Sequence, residues 1–546
     1  MPRFLFLAVQ AWPVYPSHAA WLLQGSVSGE SWQWITVETA IRDSPAAVLE
    51  RVLPNDPDVL GATFTLFNRE WLATFLARFR AVNPRTIVIG GGPEWLGDSR
   101  GFFEPIPLVH LGIRGEGERA LRQWLTVWNR PERWGEIPGV IWRDAEGRIH
   151  DDGREAERPE EAEIVSPYLR ELQEKRPPFV FLETVRGCSG ACLFCTSASR
   201  GGTRYFSLER IADEVDAIRN AGVNEVRLLD RTFNEKEDRA CAILALLRDR
   251  HPQARVHLEI DPSLMTPALA ETMKTFAVGQ LHVEAGVQTL EPKARAASGR
   301  RGSVEAVWEG LTLLRQAGSP ILHLDLLAGL PEQTWEGLLS DLSAIVRWGP
   351  EAIQLEVVKV LPGTLLARQA ARRGIRYSPF PPYEVLATPT FSYADLRRAA
   401  RLSRLVDGYY NERSLRPVMQ RISREDPDFW AVFESVVIFP EMGREGLTLE
   451  RRYTLLAEWL ERHRPSLLAD LVDAWYRREP VIHPRLGRAR VRSPRLPEGR
   501  VLEGGCDEGP YWRVIEVEAP LKRWYAWQME KGGHRRLVAV FRPESQ

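Results

Sequence analysis

The chain has 546 residues, too many for one hydrophobic core, and at roughly 150 residues per domain three domains are expected. Its 72 basic and 73 acidic side chains nearly cancel, so no overall field draws it to nucleic acid, and its 44% hydrophobic content excludes the disordered and collagen-like classes. No apolar stretch approaches the ~20 residues of a membrane helix, so no membrane partner is predicted.

In chain order, Phe4–Val9 is short for the core of a signal peptide, and Gln10, Pro13 and Pro16 interrupt any apolar continuation; it reads as a buried first strand. Trp34–Val37, Val59–Phe64, Thr86–Ile89 and Leu108–Leu111 continue a β rhythm, with a helix over Trp71–Val82 ended by Asn83-Pro84. This alternation predicts an α/β fold that begins with a doubly wound parallel sheet. The segment Asp144–Glu163, rich in Asp, Glu, Arg and Gly, reads as a polar hairpin or linker.

Beyond it, six strands recur: Phe179–Glu183, Glu225–Leu229, Val256–Ile260, Leu281–Ala285, Ile321–Leu327 and Ile353–Val358. Six βα units predict a partial or full (β/α) barrel of the TIM type. The helix after Ser207 has Ile211, Val215 and Ile218 on one face, turned to the sheet. From about Tyr393 the rhythm stops, leaving helices such as Leu447–Arg462 and two strand-like runs, Tyr511–Val517 and Arg536–Phe541. The expected division is 1–135, a hairpin or linker over 136–173, a barrel over 174–400, and a mostly helical domain with some β over 401–546.

Three of the five cysteines lie in Arg186-Gly187-Cys188-Ser189-Gly190-Ala191-Cys192-Leu193-Phe194-Cys195, a C-x3-C-x2-C loop at the carboxyl end of the first barrel strand. An odd, clustered set is a poor disulfide framework and points to a metal site in a reducing cytoplasm. Three thiolates can hold three irons of a cubane and leave the fourth open to chelate a substrate, whereas electron-transfer clusters take four cysteines. The other readings are incidental loop thiols or a zinc site completed by a distant His. Cys241 and Cys506 read as core and loop thiols.

With the barrel rhythm, this loop resembles the radical-SAM enzymes over about residues 174–400. The resemblance implies a [4Fe–4S] cluster on Cys188, Cys192 and Cys195 that reductively cleaves S-adenosylmethionine (SAM) to a 5′-deoxyadenosyl radical. Leu258-Glu259-Ile260-Asp261-Pro262, Gly286-Val287-Gln288 and Leu324–Thr334 resemble the oxygen-independent coproporphyrinogen oxidase branch. They imply that Glu259 lies near SAM, Gln288 meets its ribose, Arg300 grips its methionyl carboxylate and Asp325 accepts from ribose hydroxyls. The second strand departs from that branch's Gly-Gly-Glu, ending in Leu229-Asp230-Arg231-Thr232, which leaves Asp230 and Thr232 as cofactor-binding candidates. Tyr205 and Arg231 are candidates to orient substrate.

Gly90-Gly91-Gly92-Pro93-Glu94 and Gly115-Glu116-Gly117-Glu118 lie on loops where an open sheet binds ligands. With them, the first 135 residues resemble the Rossmann-like cobalamin-binding module that precedes many radical-SAM barrels. Asp-x-His-x-x-Gly is absent, so the resemblance implies no imidazole below cobalt. It places Leu66, Asn68, Gly91, Gly92 and Glu94 at the cofactor, with Phe67 and Arg69 nearby; His18 and His110 read as structural. The tail resembles a bacterial subgroup of cobalamin-binding radical-SAM proteins with a carboxyl-terminal domain of unknown function. The expected activity is therefore cobalamin-dependent methylation of an unactivated carbon in a small molecule or peptide, with an electron donor such as flavodoxin or ferredoxin. A rearrangement or other radical chemistry stays open within this class. The alternative class is a cobalamin- or redox-responsive sensor with a structural cluster.

Overall fold

The computed structural model describes residues 1–27, 32–104, 108–168, 176–198, 202–436, 447–492, 499–504, 513–529 and 534–543. Cys506 and Tyr511 lie outside them. The chain divides into two compact units: Met1–Leu322 with Gly329–Thr334 and Val357–Leu396, and His323–Ala328 with Trp335–Glu356 and Arg397–Gln546.

The first unit opens with a seven-stranded sheet. Its strands are β1 (Arg3–Gln10), β2 (Gln33–Ala40), β3 (Val59–Thr63), β4 (Ile87–Gly91), β5 (Leu111–Ile113), β6 (Val140–Arg143) and β7 (Ile149–His150), in the order β2-β1-β3-β4-β5-β6-β7. The first five are parallel and the last two antiparallel. β1 is apolar along its whole length because both faces are covered. Leu5 and Leu7 join Phe75, Phe79 and Trp95 on one side, and Phe4 and Phe6 join Leu121 and Trp124 on the other. The helix Arg69–Val82 buries Leu72, Phe75, Leu76 and Phe79 completely, each contributing about 1.5–3 kcal/mol; Phe75→Ala would break this packing most directly, at about 3–5 kcal/mol.

Two strand boundaries differ from the sequence pattern for local reasons. Leu108–Leu111 was expected as a strand, but His110 accepts the Val88 N–H on Nδ1 at 2.9 Å, and β5 starts one residue later. Thr86 donates its hydroxyl to Pro57 O at 2.6 Å, so β4 starts at Ile87. The polar segment contributes a tight turn in which Asp144 accepts from the Arg148 backbone at 2.7 Å, and β6 and β7 extend the sheet beyond residue 135.

All six expected βα strands are present. Within the first unit, β8 (Val180–Leu182) is followed by a short antiparallel hairpin, β9 (Val185–Arg186) with β10 (Arg204–Tyr205). Then come β11 (Glu225–Leu228), β12 (Arg255–Ile260) and β13 (Leu281–Gln288), parallel neighbours in the order β8-β11-β12-β13. The helix Leu208–Asn220 starts where Ser207 accepts the Arg210 N–H, and it buries Ile211, Val215 and Ile218 as its spacing requires.

The remaining two, β14 (Ile321–Ala328) and β15 (Ala352–Val357), fall mainly in the second unit. Up to residue 478 that unit is otherwise helical, through Trp335–Trp348, Arg416–Glu425, Phe429–Val436, Leu449–His463 and Leu468–Arg478. Phe429, Phe433 and Trp459 form an aromatic core, and buried Glu434 pairs with Arg398 at 3.1 Å and Arg401 at 2.6 Å. The expected pair of final strands is part of a five-stranded antiparallel sheet that also takes in Arg488–Arg492, Gly499–Gly504 and Arg523–Met529. Arg488–Arg492 alternates Arg with small or apolar residues and resembles polar loop, which hid it. Among the described residues no helix is long and apolar enough to cross a membrane.

Candidate functional site

The β9–β10 hairpin positions the cysteine loop. Gly187 leaves β9 at φ +88°, and a Cβ there would stand 2.5 Å from Gly202 O, so the turn into Cys188 needs glycine. Gly190 N donates to Cys188 Sγ at 3.2 Å and Ser197 N to Cys195 Sγ at 3.4 Å. Burial pushes the Cys195 thiol up, with the Ser197 N–H opposing it. The loop is tied to the chain after β13, since Leu193 N donates to Ser298 O at 3.0 Å and Arg301 Nη2 to Ser189 Oγ at 2.6 Å. A Cβ on Gly299 would lie 2.2 Å from Ala191 O, which shows how tightly the two segments meet.

Among the described residues no three Cys, His, Asp or Glu side chains converge on a single metal ion. Thiolates that each take a separate iron of a cubane need no such convergence, and three part-buried thiols on one glycine-bearing loop fit three-point cluster ligation.

The structure brings Arg300 to this loop. Its Nη1 donates to Cys192 Sγ at 3.5 Å and its Nη2 pairs with Asp261 Oδ2 at 3.2 Å and also bonds Gly286 O. Burial works against the Arg300 charge, yet Asp261 and Cys192 outweigh it and the pKa is raised. Asp261 is itself fixed by the Ser263 N–H at 3.0 Å and hydroxyl at 2.7 Å. The sequence pattern contained Asp261 but gave no reason to assign it this positioning role. Gln288 ends β13 at φ +65°, a strained conformation for a side chain of its size, and its Nε2 reaches back to Gly286.

Glu259 faces the same end of the sheet and pairs with Arg231 at 3.5 Å; burial raises its pKa, Arg231 opposing. Thr232 Oγ1 is 3.5 Å from Cys188 Sγ and donates to Arg231 O. Asp230 instead turns inward, accepting from Thr184 N at 2.9 Å and Val185 N at 3.2 Å and from the Thr184 hydroxyl. Burial pushes its carboxyl up to about 6 despite those bonds. Asp325 belongs to the second unit, where its Oδ1 is 3.7 Å from His323 Nε2. Tyr205 packs against Lys236, whose ammonium is 4.0 Å from the ring centroid.

Beside the cysteine loop lies a cavity of about 500 Å³. Its floor is apolar, with Phe4, Phe6, Leu22, Leu23, Ile113 and Leu121. The carboxyl ends of three strands form its rim, at Gly61–Thr63, Gly90–Gly92 and Gly115–Glu118, as an open sheet predicts. Val185, Arg186, Gly187, Ser197 and Arg231 close the other side. A Cβ on Gly91 would meet only Ile113 O, at 3.9 Å, so a side chain there would enter open space. Gly92 answers a different demand, with φ +95° and a Cβ position 2.7 Å from Phe64 O.

Of the other residues expected at this end, Leu66, Asn68 and Glu94 do not line the cavity. Asn68 is a buried brace, donating to Val9 O at 3.1 Å and Thr63 O at 2.9 Å and accepting from Thr65 N at 2.8 Å. Glu94 is 2% exposed and pairs with Arg69 at 2.8 Å, and both bond the Tyr383 hydroxyl. Phe67 is exposed. Sequence reasoning missed Arg186 and Glu183. Arg186 pairs with Glu116 at 2.9 Å, Glu118 at 2.7 Å and Glu183 at 2.9 Å. Burial raises the Glu183 pKa, but His18 and Arg186 outweigh it and hold the carboxyl down to about 2. Its signal was the run of acids in Glu116–Glu118 opposite an Arg two residues before Cys188.

Residues 182–345 match the radical SAM superfamily, and residues 372–476 match a protein family of unknown function, DUF4080. The chain thus carries a radical SAM domain followed by a DUF4080 segment. The cobalamin-dependent radical SAM methyltransferase TokK of Streptomyces tokunonensis is 31% identical over 195 residues, which are 33% of this chain and 28% of TokK. The fold is shared with two solved structures. The cobalamin-dependent SAM radical enzyme OxsB, with aqua-cobalamin and SAM bound, superposes with TM-score 0.62 at 14% identity over 87% of this chain and 79% of its own. The radical SAM methyltransferase TsrM of Kitasatospora setae, with cobalamin and a [4Fe–4S] cluster bound, gives 0.55 at 17% identity over 70% and 78%.

Proposed function

We propose that this protein is a cobalamin-dependent radical SAM methyltransferase that holds a [4Fe–4S] cluster on Cys188, Cys192 and Cys195. The observation that carries the reading is the sharing of one space: Gly187 and Ser197 of the cysteine loop form a wall of the glycine-rimmed cavity at the end of the amino-terminal sheet. When bound, the cluster supplies an electron to SAM and cobalamin supplies methyl transfer, chemistry that no acid or base on the chain could perform at an unactivated carbon.

The chain's own residues then bind and orient. Arg300, kept charged and aimed by Asp261, offers a fork that suits the methionyl carboxylate of SAM. Glu259 and Gln288 face the same end of the sheet and suit its polar groups. The apolar floor of Phe4, Phe6, Leu22 and Leu121 suits the ring parts of cobalamin and excludes water from them. Gly91 leaves room for a bulky ligand against the backbone. The substrate is a small molecule or a peptide, and the electron comes from a carrier such as flavodoxin or ferredoxin.

The reading is tested by anaerobic reconstitution with iron, sulfide and hydroxocobalamin, followed by SAM and a strong reductant. Mass spectrometry is expected to detect 5′-deoxyadenosine or a methylated product from the intact protein and neither from the Cys188→Ala, Cys192→Ala, Cys195→Ala variant. A protein that takes up cluster and cobalamin but leaves SAM intact would overturn the enzyme reading in favour of a sensor.

A further inference from the structure

Arg186 is placed unlike an ordinary ion-pair partner. It ends β9, two residues before Cys188, and its side chain is 10% exposed. Its guanidinium faces three carboxylates drawn from two separate parts of the first unit. Glu183 follows β8, whereas Glu116 precedes the helix Gly117–Leu125 as its N-cap residue and Glu118 lies in its first turn. Arg204, the cross-strand partner of Arg186 on β10, bonds the same Glu116. The β9–β10 hairpin therefore sends two guanidiniums to one turn of the amino-terminal sheet.

That turn, Gly115–Glu118, is also part of the cavity rim, and Arg186 and Gly187 are part of its opposite wall. A ligand that fills the cavity presses on the acids from one side, while the cysteine loop continues from Arg186 on the other. The loop has a second anchor in the chain after β13, through the close contact of Gly299 with Ala191, so Arg186 and that contact hold its two halves.

We infer that Arg186 and its acids Glu116 and Glu118 are positioning residues that couple occupancy of the cavity to retention of the cluster. Cobalamin in the cavity holds the Gly115–Glu118 turn, the turn holds Arg186, and Arg186 holds the cysteine loop in its cluster-binding shape. By linkage the coupling is reciprocal, so the cluster tightens cobalamin by the same factor. The inference rests on the cavity being the cobalamin site.

The test uses the full-length reconstituted protein and follows iron release to an excess of chelator, with and without hydroxocobalamin. Wild type is expected to lose iron about 5-fold or more slowly with cobalamin present, a coupling at the lower end of the common range expressed in the release step. Glu118→Gln and Arg186→Lys are each expected to take up cluster and cobalamin yet bring that ratio to about one. Arg133→Ala, which breaks an exposed pair with Glu136, is expected to keep the wild-type ratio. A purely structural role would speed iron loss equally with and without cobalamin and leave the ratio unchanged, which overturns the coupling; so does a wild-type ratio of one with both groups bound. Wild type that takes up no cobalamin overturns the cavity assignment as well. Glu116→Gln keeps the test decisive if one of the other variants fails to fold.

Discussion

The cysteine loop and the rim of the amino-terminal sheet meet at one cavity but present their chemistry in opposite ways. At the loop the chemistry lies in side chains, three thiols at fixed spacing with Arg300 against one of them. At the rim it lies in side chains that are absent: Gly91 opens onto empty space, and Gly61 leaves room for the Phe4 ring of the cavity floor. A motif of reactive residues announces itself in a sequence, whereas a motif of missing ones resembles any turn.

The sharpest way to test the contrast is to add at the rim. Gly91→Leu is expected to abolish cobalamin uptake, read as cobalt per protein after gel filtration, while the melting temperature stays close to wild type, because no left-handed backbone is required there. Gly92→Ala should do the reverse, lowering stability by about 1–3 kcal/mol through its positive φ and the Phe64 contact. If Gly91→Leu still takes up cobalamin stoichiometrically, the rim is not the binding surface.

A smaller effect is expected at the loop from Arg300→Lys, which keeps the charge but loses the fork. Affinity for SAM should fall about 10- to 100-fold, as the loss of roughly 1.5–3 kcal/mol of charge-assisted hydrogen bonding implies. Equilibrium binding to the unreduced protein measures it, and unchanged affinity would place the carboxylate elsewhere.

The smallest effect separates a cofactor contact from a brace. Asp230 has a folded pKa of about 6, raised from 3.8 by burial. Its contribution to stability is therefore complete below about pH 4 and is lost as pH rises through 6, up to about 3 kcal/mol in all. Asn keeps an acceptor for Thr184 N and Val185 N without the buried charge. Asp230→Asn should gain stability over wild type between pH 4 and 7, by a few degrees in thermal melts at pH 7.5, with SAM affinity unaltered. A loss of SAM binding at unchanged stability would instead turn Asp230 toward the cofactor.

The outcomes at Asn68 and Glu94 show where a sequence pattern stops being informative. Both sit on loops that point at a ligand crevice, yet Asn68 spends its amide on Val9 O and Thr63 O, and Glu94 is engaged by Arg69 and Tyr383. Tyr383 is 289 residues beyond Glu94, a separation that no local pattern spans. The five-stranded terminal sheet was half legible for a related reason. Its buried Tyr525, Ala526 and Trp527 break strict alternation, and its Arg-bearing first strand carries little apolar signal.

The sequence by itself determined the parallel βα order and the cysteine spacing, which follow from periodicity and from side chains whose chemistry is local. Glu259, Gln288 and Arg300 stood out only through the resemblance to a known family. Only the tertiary structure decided that Asp261 aims Arg300, that Asp230 braces the turn from β8 into β9, and that Arg186 joins the cysteine loop to Glu116 and Glu118. Each of those depends on which distant carboxylate a buried charge meets, and burial makes that choice only when the chain has folded.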